Sequence, residues 1–389
     1  SLNARTLRKL GLTTTIRVGL SYLKSLIVKR KPERTLEDFI VNRFGRVLYS
    51  MFFEAYTEKV WGVPCTRIPA DWGAQRIKGV SISSLLRHAL RRLWPQRASI
   101  EQKEVETSLI ERFLYPKLGP GQMWEVVRDE VERLGGTVLL NHEVRAVYHD
   151  ESGVRAVSVV PTAGGERRMA VDVLVSTTDV KHLVAGLEPP PPPRIRSIAG
   201  DLPYRDFITV GVLLKGLRNP EEEEGQGIED NWIYVQEPSV RVGRIQFFKN
   251  WSPYMVADRD TEWLGLEYFC NEGDDLWSLG DAEFARMAVD ELARIGLARP
   301  EDLLDTHVVR YRKTYPAYFG SYREFAVVRD HLDGIANLFL VGRNGMHRYN
   351  NQDHSMLTAM LAAERIIAGS QQRSDLWDVN TEQSYHETR

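Results

Sequence analysis

The chain has 389 residues, of which 43% are hydrophobic and 27% charged, and its formal net charge is −2. Such a composition describes a globular protein with room for two domains, and the near-neutral charge gives no electrostatic ground for a nucleic-acid polymer as partner. Only two cysteines occur, Cys65 and Cys270, which excludes a disulfide framework and a cysteine-built metal centre and leaves a reducing, cytoplasmic setting as the expectation.

The chain opens on Ser1, Leu2, Asn3 and Ala4, with neither Met nor a signal-type apolar core. Tag cleavage, processing and excision from a longer protein all fit that start. Eight Lys or Arg precede the first acid, Glu33, while Leu7, Leu10, Ile16, Leu20, Leu23 and Ile27 recur at helical spacing. Residues 1–34 therefore read as a basic helix whose face is either solvated or laid on a membrane surface as a peripheral contact. The longest apolar candidate, 10–28, is interrupted by Arg17 and Lys24 and does not read as a span.

Thr35 followed by Glu37 and Asp38 predicts a helix start. Leu36, Ile40, Phe44, Val47, Leu48, Met51, Phe52 and Ala55 mark one face of a single helix to about Val60, which Gly62 and Pro64 stop. Another helix is expected over 83–93. After the Gly119, Pro120, Gly121 turn, a helix over 123–134 ends at Gly135 and Gly136. Strands are expected at 137–141, 144–149, 156–160 and 171–176, and the prolines at 189–193 read as a stiff spacer. Strand-like stretches at 207–215, 232–236, 244–249, 264–270 and 307–312, with a helix over 281–295, predict a mixed sheet with one long helix. A final strand at 338–341 leads to a helix over 355–368 and a loose polar tail.

Chemistry concentrates where that last strand ends. Gly342 has no side chain to keep a ligand from the backbone, and Arg343 after it can grip a phosphate through two nitrogens. A polar loop then runs into a helix whose free amides favour anionic groups. The plain alternative is an ordinary strand-to-helix connection. This segment resembles the C-terminal flavin-contacting motif of FAD-dependent oxidoreductases related to amine oxidases, protoporphyrinogen oxidase and UDP-galactopyranose mutase. The resemblance implies FAD, with Gly342 and Arg343 at its pyrophosphate and Tyr349, Asn350, Gln352, Asp353 and Met356 along the ribityl chain and ring. His347 and His354 would flank the ring, His347 facing substrate.

Two further segments carry the resemblance. Glu143 and Val144 follow the helix and strand at 123–141, where such enzymes set a backbone amide against adenine; Val144 is the implied contact. Asp172 to Thr178 is similar to the strand and turn behind the dinucleotide, with Thr177 at its end. The run Tyr56, Thr57, Glu58, Lys59, Val60, Trp61, Gly62 together with Arg76 resembles UDP-galactopyranose mutase, where this helix end faces a nucleotide sugar. Trp61 would stack on a ring and Arg76 would hold a diphosphate; the alternative keeps Trp61 in a core and Arg76 as a surface charge. Met346, His347, Arg348, Tyr349, Asn350 and Asn351 depart from the tyrosine-rich run of the mutases, so the substrate is either a small organic molecule or a nucleotide sugar.

The expected fold class is α/β: a glutathione-reductase-like FAD-binding fold whose N-terminal βαβ unit, with its Gly-x-Gly-x-x-Gly loop, is missing, and an interleaved α+β substrate domain. Residues 1–115 and 201–325 would build the substrate domain. Residues 116–200 and 326–370 would build the FAD-binding domain, and 371–389 the tail. The implied activity is flavin-mediated hydride transfer, with redox-neutral isomerisation of a nucleotide sugar as the alternative and a cofactor-free remnant as a third reading.

Overall fold

A computed structural model describes residues 11–70, 73, 114–218 and 228–380. The helix expected over 83–93 and Arg76 lie outside the described residues, as does the tail beyond 380.

The first helix, α1 (Leu12–Ile27), is followed by α2 (Leu36–Phe44), whose start is closed by a capping box: Thr35 Oγ1 accepts from the Asp38 amide, and Asp38 accepts from the Thr35 amide. The single helix expected to run on to Val60 is broken at Gly45. Gly45 adopts φ 81°, and a side chain there would stand 2.8 Å from the Ser21 carbonyl, so the chain turns where only glycine fits. A short turn at Arg46–Tyr49 and a wider one at Ser50–Glu54 lead into α3 (Ala55–Trp61). Then come α4 (Pro120–Arg133), β1 (His142–Asp150), β2 (Gly153–Pro161), β3 (Arg167–Ala170), β4 (Leu174–Ser176), α5 (Val180–Ala185), β5 (Leu187–Glu188) and α6 (Pro193–Gly200). Next are β6 (Tyr204–Leu214), β7 (Trp232–Tyr234), β8 (Arg244–Phe247), β9 (Glu262–Cys270), α7 (Asp281–Arg294) and β10 (Leu303–Pro316). The described part closes with α8 (Phe325–Asp333), β11 (Leu338–Leu340), α9 (Gln352–Ile367) and a short α10 (Ser374–Asp378), so the tail expected to be loose is instead packed as far as it is described, with Leu376 and Val379 buried.

Residues 137–141, expected as a strand, lie in no ladder, and both Leu139 and Leu140 are exposed. A strand needs a partner edge, and the described residues offer none there. The proline run is no uniform spacer either: Pro193 opens α6, where its missing N–H costs nothing.

The chain divides into two compact units. Among the described residues, one comprises 11–70, 73, 114–123, 207–218 and 228–311. Its sheet has the order β10-β6-β9-β8-β7. Leu264, Leu266, Tyr268 and Cys270 alternate along β9 onto one face, where they share a core with Phe284, Ala288 and Leu292 of α7.

The other unit comprises 124–206 and 312–380. There β3-β2-β1 form an antiparallel meander extended by the parallel strand β5, and β11 pairs with β4 in parallel register, Leu338 opposite Leu174. Val147, Val157, Leu183, Leu187, Val328 and Phe339 meet in one core, with all of β11 buried. Burial on both faces is what a parallel strand requires, and it explains the unbroken apolar run Leu338, Phe339, Leu340, Val341.

Candidate functional site

Strands β4 and β11 end side by side: Ser176 is opposite Leu340, and the Val341 amide donates to the Ser176 carbonyl over 3.1 Å. Thr177 and Gly342 follow at once. In an open parallel sheet this carboxyl end is where ligands sit. Gly342 has φ 80°, and a side chain built on it would find nothing nearer than Thr177 Cγ2 at 3.9 Å, so its outer face is open. Its amide donates to Thr358 Oγ1 of α9 over 3.0 Å, and its carbonyl accepts from Asn350 Nδ2 over 3.1 Å. Behind it, Gly345 packs so tightly that a side chain would meet the Ser176 and Val341 carbonyls at 2.5 Å. The turn is thus held rigidly by its own backbone. Beside it lies a cleft of about 120 Å³ lined by Val144, Val175, Thr177, Thr178, His182 and Gly186, among others.

Arg343 does not reach outward as a free fork. Its Nε donates to the Asn350 carbonyl over 2.8 Å and its Nη1 to the Thr314 carbonyl over 3.2 Å. The guanidinium lies 4.6 Å from the Tyr349 ring centre and 5.6 Å from that of Tyr315, two rings that stack at 5.4 Å. Asn350 is buried, 1% exposed, and clips the loop by its bond to Gly342 and by accepting from Asn380 Nδ2 at 3.1 Å. Gln352, Asp353 and Met356 stand exposed on the first turns of α9.

Two residues expected at the substrate are buried. His347 is 0% exposed; its left-handed backbone, φ 44°, turns the ring inward among Tyr204, Tyr322 and Phe325, where Nε2 bonds the Ala317 carbonyl at 3.1 Å. Burial pulls its pKa down to about 4, so it is a neutral core residue. Trp61 is 2% exposed because α3 is lashed down near it: Lys59 Nζ donates to the carbonyls of Val235, Glu237 and Val242 at 3.1, 2.7 and 3.2 Å. Trp61 anchors a helix end rather than offering a stacking platform. Cys65 and Cys270 are buried as expected, and burial pushes the Cys65 thiol up to about 12.

Two features lie outside the expected site residues. Lys313 sits at φ 51°, unusual for a residue with a side chain, and its ammonium is 3.1 Å from Asp179 Oδ2 and 3.0 Å from Nδ1 of His182, which lines the cleft. The second lies in the other unit. On the sheet face turned away from α7, Tyr234, Arg244 and Glu267 stand opposite one another across β7, β8 and β9. Glu267 is buried, paired with Arg244 and hydrogen-bonded by Gln246. Around them rings touch in series: Tyr115 on Trp251 at 5.0 Å, Trp251 on Trp232 at 5.0 Å, Tyr234 on Tyr56 at 4.7 Å and Phe207 on Phe269 at 5.6 Å. Trp232 and Tyr234, two apart on a strand and so on one face, were the signal for this surface.

The fold is shared with solved structures. Reduced UDP-galactopyranose mutase matches with a TM-score of 0.73 at 18% identity, over 96% of this chain and 74% of that one. A putative protoporphyrinogen oxidase from Exiguobacterium sp. 255-15 matches at 0.60 and 15% identity, over 92% and 74%. Putrescine oxidase bound to putrescine matches at 0.54 and 15% identity, over 95% and 77%. At such identities the likeness is one of fold. Membership comes from the sequence itself, because residues 94–367 match the family of flavin containing amine oxidoreductases. The chain belongs to that family, and its cofactor is a flavin, FAD.

Proposed function

We propose that this chain carries the FAD cleft and the substrate surface of an oxidoreductase that takes a hydride from a small organic molecule. The observation that carries the reading is the pair Thr177 and Gly342 at the shared carboxyl end of two parallel strands, beside the cleft that Val144 lines. The residues fit a dinucleotide: Gly342 is open on its outer side and admits close approach, and Val144 is half-exposed at the cleft. Arg343, held by two carbonyls and two rings, still has donors for a phosphate, and Lys313 adds a cation through His182. Bound flavin supplies the hydride acceptor. The chain's own part is to bind, orient and exclude water.

In this reading the unit with β4 and β11 holds the cofactor, and the unit with the five-stranded sheet receives substrate on its ring-lined face. That face offers stacking for a flat or ring-shaped molecule. The finer fold is glutathione-reductase-like, with a strand, glycine loop and helix that these 389 residues do not contain, since no Gly-x-Gly-x-x-Gly occurs in them. Two observations support it: Trp124, Val127 and Val131 of α4 and Leu134 just after it are all exposed, and so are Val173 before β4 and Val175 in it.

The test is titration of the chain with FAD, read by quenching of flavin fluorescence. Arg343→Ala should lose about 1.5–3 kcal/mol of binding, the worth of a hydrogen bond to a charged group; unchanged affinity removes Arg343 from the site. Isomerisation of a nucleotide sugar is the second reading, favoured by the exposed Trp232 and Tyr234 rings. Incubation with reduced FAD and UDP-galactopyranose decides between the two, since only an isomerase contracts the sugar ring without net oxidation.

A further inference from the structure

Helix α1 is built the wrong way round for a helix that serves a protein core. The residues it turns inward are Thr14, Val18, Ser21, Tyr22 and Ser25, and of these only Ser25 is fully buried. Ser21 Oγ accepts from the Val47 amide at 3.1 Å, and the close approach of Gly45 to the Ser21 carbonyl seats this small-residue face. The large apolar residues point the other way: Leu12, Ile16, Leu20, Leu23 and Ile27 are 52–84% exposed. At about 100° per residue these five fall within roughly 80° of arc, so they form one stripe.

One edge of that stripe is cationic. Arg17 and Lys24 fall at its edge on the same helical projection, both exposed, and neither has an ion-pair partner among the described residues. No Asp or Glu occurs before Glu33, and the nearest acids are already engaged: Glu33 by Arg43, Glu37 by Arg30 and Arg46. Sixteen residues make a helix of about 24 Å, too short to cross a hydrocarbon core of about 30 Å. No helix among the described residues is long and apolar enough to cross a membrane. An apolar stripe with a cationic edge and no acid beside it is complementary to the interface of an anionic bilayer, where acyl chains take the stripe and phosphates take the cations.

We infer that α1 is a membrane-surface anchor that lays Leu12, Ile16, Leu20, Leu23 and Ile27 into an anionic lipid interface. Such a helix lies in the plane of the headgroups and holds the protein on the membrane without spanning it. The experiment is co-sedimentation of the full chain with vesicles of phosphatidylcholine alone and of phosphatidylcholine with 30% phosphatidylglycerol. Binding is expected to the anionic vesicles and to weaken with salt. Leu20→Glu with Leu23→Glu should lower partitioning at least tenfold. Arg17→Gln with Lys24→Gln should lower it roughly thirtyfold on anionic vesicles only, about fivefold for each cation. All four residues are exposed, so circular dichroism and the unfolding midpoint should stay unchanged. Absence of binding to anionic vesicles overturns the proposal. So does binding that ignores both variants, or a dimer in solution that the leucine variant dissolves, which would make a second copy the occupant.

Discussion

Single buried polar groups give the sharpest expectations. Glu291 of α7 is buried and accepts from the amides of Arg241 at 2.5 Å and Val242 at 2.9 Å and from Tyr268 Oη at 3.1 Å. Glu291→Ala strands three donors, each costing about 1–3 kcal/mol when unmet, so urea unfolding should show a loss of at least about 3 kcal/mol. Glu291→Gln keeps an acceptor and should lose less; equal losses would contradict the hydrogen-bond account. His347 gives a pH expectation. Its folded pKa, about 4, lies below its ordinary 6.5, so the unfolded chain takes up a proton that the folded one refuses. The sign follows: stability should fall as pH drops from about 6.5 towards 4, by roughly 2 kcal/mol between pH 7 and pH 5. His347→Phe, measured at both values, should lack that component, and an unaltered pH slope would argue against it.

Among the elements, the break at Gly45 is the most specific. A side chain there must adopt a left-handed backbone, at about 1–2 kcal/mol, and must displace the Ser21 carbonyl of α1. Gly45→Ala should therefore destabilise by at least about 1–2 kcal/mol, whereas Gly165→Ala, also at positive φ but with open space around it, should show the backbone cost alone. Chemical denaturation of both variants checks this; equal losses would show that the seat of α1 on Ser21 contributes nothing. Helix α4 makes the opposite point. It is amphipathic and well formed, yet none of its residues is buried. A helix whose apolar stripe no described residue buries is stable only with a partner.

For the molecule as a whole, that uncovered stripe bears on the cofactor. A glycine loop and helix start normally bring backbone amides to a pyrophosphate. With none in these residues, the proposed site leaves the phosphates to Arg343 and the Lys313 cation, and Arg343 is already tied to two carbonyls. The 389-residue chain should therefore lose added FAD on gel filtration, and the exposed face of α4 should make it prone to associate. Elution with a stoichiometric flavin spectrum would sink this expectation.

The sequence by itself determined the elements whose pattern is local. The Thr35 capping box, the alternation of Leu264, Leu266 and Tyr268, the α7 stripe and the apolar run at 338–341 were all legible, because helix ends and strand faces are set by neighbours a few residues away. The glycine after β11 was legible too, since an open turn at a strand end needs one. What residues do when far-separated segments meet was decided only in three dimensions. Trp61 and His347 read as polar-handled rings near a ligand, but a helix end lashed by Lys59 and a loop clipped by Asn350 put both in cores. The row Tyr234, Arg244, Glu267 joins three strands, and Lys313 meets Asp179 across 134 positions. Even the direction of α1 was open in one dimension. Periodicity told that one stripe was apolar, and only the seat of Ser21 on Gly45 showed that the stripe faces out.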